Sequence, residues 1–202
     1  MKQIVFKTMN TLAKQPVLID FILPQTKIIG ITKDVVLVLG FGLLTALSAQ
    51  ISFWIGPVPI TGQTFAVLMA GILLGSVRGA FSQIFYLLVG LTGLPFWFAA
   101  GGPLGMSRLI GPTGGYLIGF VAAAFLVGRL AEIGWTKTIK TAILAMIVGN
   151  IVIYLSGLSW LANFLPLQGL LAAGLYPFFP GDLLKIFLAS LLLPKGWQLI
   201  KQ

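Results

Sequence analysis

VVLVLGFGLLTALSAQISFWIGPVPITGQTFAVLMAGILLGSV, residues 35–77, runs for 43 residues between Asp34 and Arg78 without one Asp, Glu, Lys or Arg. The string Ile55-Gly56-Pro57-Val58-Pro59-Ile60 divides it. Proline inside a helix removes a hydrogen bond and clashes with the preceding turn, so the stretch reads as two helices joined by a loop. Spans of 35–53 and 61–77 are each near the length that crosses about 30 Å of hydrocarbon. An α-helical membrane protein is the reading.

Composition agrees. The chain is 58% hydrophobic and carries only 17 charged side chains in 202 residues, too few to make a soluble surface polar. The apolar runs are continuous, whereas a transmembrane β-barrel needs apolar and polar residues to alternate. Outward from residue 77, Arg78 closes the second span, and 79–94 forms a third. Pro95 and a Gly-rich loop lead to Arg108, Gly111–Gly128 forms a fourth span, and Arg129, Glu132, Lys137 and Lys140 make a polar connection to a fifth at 141–157. Residues 158–180 are uncharged but hold Pro166, Gly169, Gly174, Pro177 and Pro180, which suits an interfacial or re-entrant segment with a short helix. A sixth span starts near Asp182. Residues 1–34 differ: they hold five Lys, Asp20 and Asp34, broken by Pro16 and Pro24. No uninterrupted apolar core is followed there by a small-residue cleavage site, so they read as a cytoplasmic or interfacial leader, with residues 35–202 as the membrane domain.

With six spans, the leader, the turn at 78, the 129–140 connection and the C-terminus share one side and hold 11 of the 13 bases. The positive-inside rule then places both termini in the cytoplasm. Gly56–Thr61, Pro95–Arg108 and Gly157–Lys185 fall on the outer side. The net charge of +9 reports this topology, and no basic stripe of the kind that binds nucleic acid is present.

Pro180-Gly181-Asp182-Leu183-Leu184-Lys185 carries the only acid among the apolar spans, with a base three residues on. It ends 41 uncharged residues, Thr141 to Gly181. An ionisable group in a span costs about 2.5–3.5 kcal/mol on insertion scales and marks a functional site by default. Asp182 and Lys185 share a helix face. One reading makes Asp182 an N-cap with Lys185 as its local partner; the other has the pair face a cavity at the outer surface. Other polar groups collect on that side. Gln63 and Thr64 open span two, Tyr116 follows Gly114-Gly115, and Asn150 lies within span five with Tyr154 one turn on. Arg108 suits either an interfacial anchor or a carboxylate clamp. Trp54, Trp97 and Trp160 stand at outer ends of spans, where tryptophan belts occur and where a pocket for an apolar ring system would also use them.

The absences narrow the chemistry. There is no Cys and no His, which removes thiol nucleophiles, imidazole catalysis and the usual metal sites. No phosphate-binding loop of the G-x-x-x-x-G-K-[ST] type occurs, and no Ser-Lys or paired-carboxylate constellation is evident. Binding, not catalysis, is the reading. Small residues recur at helical spacing: Gly71, Gly75, Gly79; Gly111, Gly115, Gly119; and, in span one, Gly42 and Ala46 beside Thr45 and Ala49. Such rows let helices approach closely, either within the chain or against a partner.

Gly56-Pro57-Val58-Pro59-Ile60-Thr61-Gly62-Gln63-Thr64, Gly111-Pro112-Thr113-Gly114-Gly115-Tyr116-Leu117-Ile118-Gly119-Phe120 and Pro180-Gly181-Asp182-Leu183-Leu184-Lys185, in that order, resemble the biotin-specific substrate-capture component of energy-coupling factor (ECF) transporters, from about residue 36 to 194. The resemblance implies an all-α, six-helix bundle that takes biotin from outside and works with a transmembrane coupling subunit and two ATPase subunits in the cell membrane. This chain would need no cofactor, since ATP is used by those partners. It implies a gate in the loop after span one (Gly56, Pro57, Pro59, Thr61) and a partner-docking row at Gly42, Ala46 and Ala49, with Gln50 where another small residue would follow. The leader is longer than that family usually has. Biotin offers two ureido N–H donors, one carbonyl, apolar rings and chain, and a carboxylate. Asp182 suits a ureido N–H, Asn150 or Gln63 the amide edge, and Lys185 or Arg108 the carboxylate. Tyr116, Tyr154 and Trp97 suit the apolar parts. The alternatives are capture of another vitamin, a self-sufficient carrier, and an intramembrane enzyme, which the missing His and Cys disfavour.

Overall fold

In the computed structural model, which describes residues 16–22 and 27–200, the uncharged stretch folds as helix, hairpin and helix. Helix α1 (Leu18–Ile22) precedes α2 (Lys27–Ala49). Strands β1 (Ser52–Trp54) and β2 (Pro59–Thr61) pair antiparallel, with Ser52 opposite Thr61, Phe53 opposite Ile60 and Trp54 opposite Pro59. Gly56 turns the ribbon at φ 100°, a left-handed conformation that a side chain disfavours. The first span was expected to reach residue 53; it stops at 49 because Ser52–Trp54 pairs with the proline segment instead. Pro59 is tolerated because both strands of a two-stranded ribbon are edges.

Helix α3 (Gln63–Leu74) and α4 (Ser76–Leu91) follow, then the short α5 (Met106–Ile110), α6 (Gly114–Glu132), α7 (Ile139–Leu161), α8 (Leu167–Gly174) and α9 (Phe179–Ile200). Among the described residues, four stretches are long and apolar enough to cross a membrane: Ile31–Ala49, Gly114–Glu132, Ile139–Leu161 and Leu167–Gln198. The spans expected at 61–77 and 79–94 are shorter, 12 and 16 residues. At 1.5 Å per residue they measure about 18 and 24 Å. Gly75 (φ 85°) cuts them apart, in a backbone conformation that favours glycine. The short helix α8 bears out the irregular reading of 158–180.

Helix α3 forms the centre. Val67, Leu68, Ala70, Ile72 and Leu74 are all buried to within 1%. Small residues set its distance from α6, since a Cβ on Gly71 would lie 2.3 Å from the Ala124 carbonyl oxygen. Helix α6 in turn lies on α7, where a Cβ on Gly115 would meet the Trp160 Cβ at 2.2 Å and the Ser156 carbonyl oxygen at 2.5 Å. That contact fixes Tyr116 and Tyr154 beside one another's helices at the end that holds the cleft.

The opposite end is tied by charge. Arg78 pairs with Asp20 at 2.7 Å and Asp34 at 3.1 Å. Buried Glu132 accepts from the Ser76 backbone N–H (2.9 Å), the Ser76 hydroxyl (2.8 Å) and Arg129 (2.9 Å). The Trp197 indole donates to Thr136 Oγ1 at 3.2 Å, and Phe21 meets the Trp197 ring edge-on at 5.5 Å. The Asp20–Arg78 pair reaches across the expected boundary at 34/35. Helix α2 runs through it from Lys27, and Val17, Asp20 and Phe21 pack onto the body. The expected docking row packs inward within this chain. Ala46 and Ala49 are buried at 2% and 0%, and a Cβ on Gly42 would lie 2.4 Å from the Phe85 ring. Gly42, Ala46 and Ala49 serve internal packing, and α2 turns Val36, Leu39, Leu43 and Leu47 outward instead.

Candidate ligand-binding site

The loop end of the bundle holds a cleft of about 530 Å³, its open mouth included. Side chains from β2, the α3 N-terminus, the loop before α5, and α6, α7 and α9 line it. Phe98, Leu117, Phe120, Ile153 and Phe178 form apolar wall, and the polar groups fall into two stations. An apolar cleft with a few placed polar groups is the usual form of a small-molecule site.

The first station is built on α9. The Lys185 ammonium donates to the Thr61 carbonyl (2.9 Å), Thr64 Oγ1 (2.7 Å) and Asp182 Oδ1 (3.1 Å), which uses all three of its N–H groups. The Tyr154 hydroxyl donates to Asp182 Oδ2. Asp182 is buried and does not itself line the cleft. The N-cap reading fails, because α9 begins at Phe179 and places Asp182 within its first turn. Its partners are Lys185 and Tyr154, and through Lys185 it holds the corner between β2 and α3.

The second station is Arg108. It lines the cleft and is 3% exposed, so it is no interfacial anchor. Its Nη2 donates to the Ala99 carbonyl at 3.1 Å, and its Nη1 is buried with no hydrogen-bond partner. Burial pulls its pKa down from the ordinary arginine value, since the charged form is the one that loses solvation.

Of the other expected residues, Gln63, Tyr116, Pro59 and Thr61 also line the cleft. Gln63 donates to the Tyr86 hydroxyl at 2.6 Å and accepts from Thr61 at 2.9 Å. Tyr116 donates to the Gly174 carbonyl at 2.8 Å, anchoring the end of α8. Asn150 and Trp97 are not among the lining residues. Asn150 is buried one turn before Tyr154, with its Oδ1 unpartnered. Trp97 donates to the Tyr86 carbonyl at 2.7 Å and stacks on the Tyr86 ring at 6.1 Å. Gly56 and Pro57 belong to the hairpin turn and do not reach the cleft. Thr113, Phe98 and Phe178 line it without having been singled out, because ordinary loop and core residues give no signal of their own. Gln50 had one: an amide at the end of an apolar helix needs partners. It donates to the Phe96 and Phe98 carbonyls at 2.7 and 3.1 Å and holds the loop that walls the cleft.

Residues 11–202 match the BioY family. The chain belongs to that family. It is 39% identical to the probable biotin transporter BioY of Pyrococcus horikoshii, over 76% of this chain and 89% of that protein. It is 37% identical to the biotin transporter BioY of Rhizobium etli, over 80% and 91% respectively. A crystallised S-component for biotin from an ECF-type ABC transporter superimposes with a TM-score of 0.69 and 28% identity, covering 89% of this chain and 96% of that one. The BioY match begins at residue 11, so most of the leader belongs to the family's own extent rather than being an addition to it. Membership in BioY and the long apolar helices place the protein in a membrane.

Proposed function

We propose that this chain captures biotin from the outer face of the cell membrane and delivers it as the substrate-specific subunit of an ATP-driven ECF transporter. One observation carries the reading: a buried arginine at an apolar cleft has an Nη1 with no partner. An unpaired buried cation is costly, and a carboxylate both neutralises it and fills its fork of donors. Lys185 is the weaker choice for that carboxylate, since its three donors are already used. Biotin's tail therefore belongs on Arg108. Its ureido group belongs on the Tyr154–Asp182–Lys185 network, where the Tyr154 oxygen lines the cleft and can accept N–H, and Asp182 behind it holds that hydroxyl. Its thiophane ring and chain belong against Phe98, Leu117, Phe120 and Phe178. The chain performs no chemistry on the ligand.

Six crossings with both termini cytoplasmic fit the arrangement, α3 and α4 being two short crossings inside the bundle. That orientation sets the ion-paired end inward and the cleft outward. A transmembrane coupling subunit and two ATPases supply the energy. Uptake of labelled biotin into cells lacking their own biotin transport tests this. Expression with the coupling module should give accumulation that unlabelled biotin abolishes. Accumulation of labelled thiamin or riboflavin but not of biotin would assign another vitamin, and equal accumulation without the module would make the chain a self-sufficient carrier.

A further inference from the structure

Trp54 stands on β1, outside the cleft lining and 41% exposed, yet its ring covers Arg108. The guanidinium carbon lies 5.2 Å from the ring centroid. The indole N–H donates to the Ala100 carbonyl at 2.6 Å, while Arg108 Nη2 donates to the neighbouring Ala99 carbonyl at 3.1 Å. The hairpin and the arginine thus grip consecutive carbonyls of one loop and touch each other. The loop is glycine there by necessity. A Cβ on Gly102 would fall 1.4 Å from Arg108 Nη1 and 3.1 Å from the Trp54 ring, and one on Gly101 would fall 3.0 Å from the indole nitrogen.

The same guanidinium carries the unpartnered Nη1. A buried donor without a partner is costly. A carboxylate fixes the plane of the guanidinium and so fixes the surface on which the hairpin rests. We propose that Trp54 is a positioning residue that makes the seating of the β1–β2 hairpin on Arg108 depend on the acidic end of the ligand. The inference rests on the assignment of the ligand carboxylate to Arg108. Lys185 holds the other end of the hairpin, at Thr61, whatever the charge of the ligand tail.

The test is the dissociation rate of biotin and of its uncharged carboxamide from the purified full chain. Biotin should leave wild type more slowly than the carboxamide. Trp54→Leu should speed biotin release about five- to thirtyfold, the range of a desolvated cation–π contact, and carboxamide release less than about twofold. Trp54→Phe, which keeps a ring, should restore most of the difference. Gly102→Ala, whose methyl would overlap the guanidinium where it meets Trp54, should reproduce the ligand-selective pattern. Equal acceleration of both ligands in Trp54→Leu, or of neither, overturns the coupling while leaving biotin capture intact. Equal release of the two ligands from wild type removes the Arg108 assignment and the coupling with it. A wild-type chain that holds no biotin contradicts the function itself.

Discussion

At the scale of single residues, the site divides into groups already satisfied by the protein and one group that is not. Lys185, Asp182, Tyr154, Gln63 and Tyr116 bond one another, neighbouring side chains or the backbone, while Arg108 keeps a buried donor in reserve. Arg108→Gln is predicted to weaken biotin binding at least about tenfold while leaving the affinity for the carboxamide nearly unchanged, measured by equilibrium titration. Asp182→Asn is predicted to cost at least about tenfold for both ligands, because it loosens Tyr154 and Lys185, the two members of that network that line the cleft. Equal losses for the two ligands in Arg108→Gln would place the carboxylate elsewhere. The Asp182–Lys185 pair was legible because charges three apart in an apolar run stand out and share a face. Its partner Tyr154 lies 28 residues away, and no local spacing reports such a contact. Nor does local sequence report that Arg108 is buried, since that follows from how a Gly-rich loop folds back over it.

Whole elements report their causes unevenly. Long helices follow from uncharged runs bounded by charge and proline, so α2, α6, α7 and α9 were readable, though their ends moved by several residues. The hairpin was not, because three-residue strands are too short to show alternation. The small-residue rows were readable as close approaches but not as to their partners, which depend on how each helix is rotated in the bundle. Gly115→Ala is predicted to destabilise by about 1–3 kcal/mol, because the new methyl meets Trp160 and Ser156 across the α6–α7 contact. Glu132→Ala is predicted to cost about 1–2 kcal/mol through the loss of the bonds at the start of α4. Thermal unfolding in detergent measures both. If Gly42→Leu left stability unchanged and abolished only assembly with the coupling subunit, the inward orientation of that row would be wrong.

The molecule as a whole has two unlike ends, one of loops, hairpin and cleft, the other of ion pairs that bind the leader to the helices. This polarity was readable from the distribution of bases, but the leader's attachment was not, because Asp20 and Arg78 are 58 residues apart. The absence of cysteine makes orientation directly testable. In intact cells a membrane-impermeant maleimide is predicted to label Gly56→Cys and not Lys140→Cys, and the reverse pattern would invert the topology. The central claim is that this cleft holds biotin. Titration of the purified chain with biotin, followed by tryptophan fluorescence, tests it most directly, since Trp54 rests on Arg108 and Trp97 lies behind the cleft. The account predicts a saturable change with one biotin per chain, abolished or strongly weakened in Arg108→Gln. A folded wild-type chain showing no saturable change, and no biotin retained on equilibrium dialysis, would contradict it.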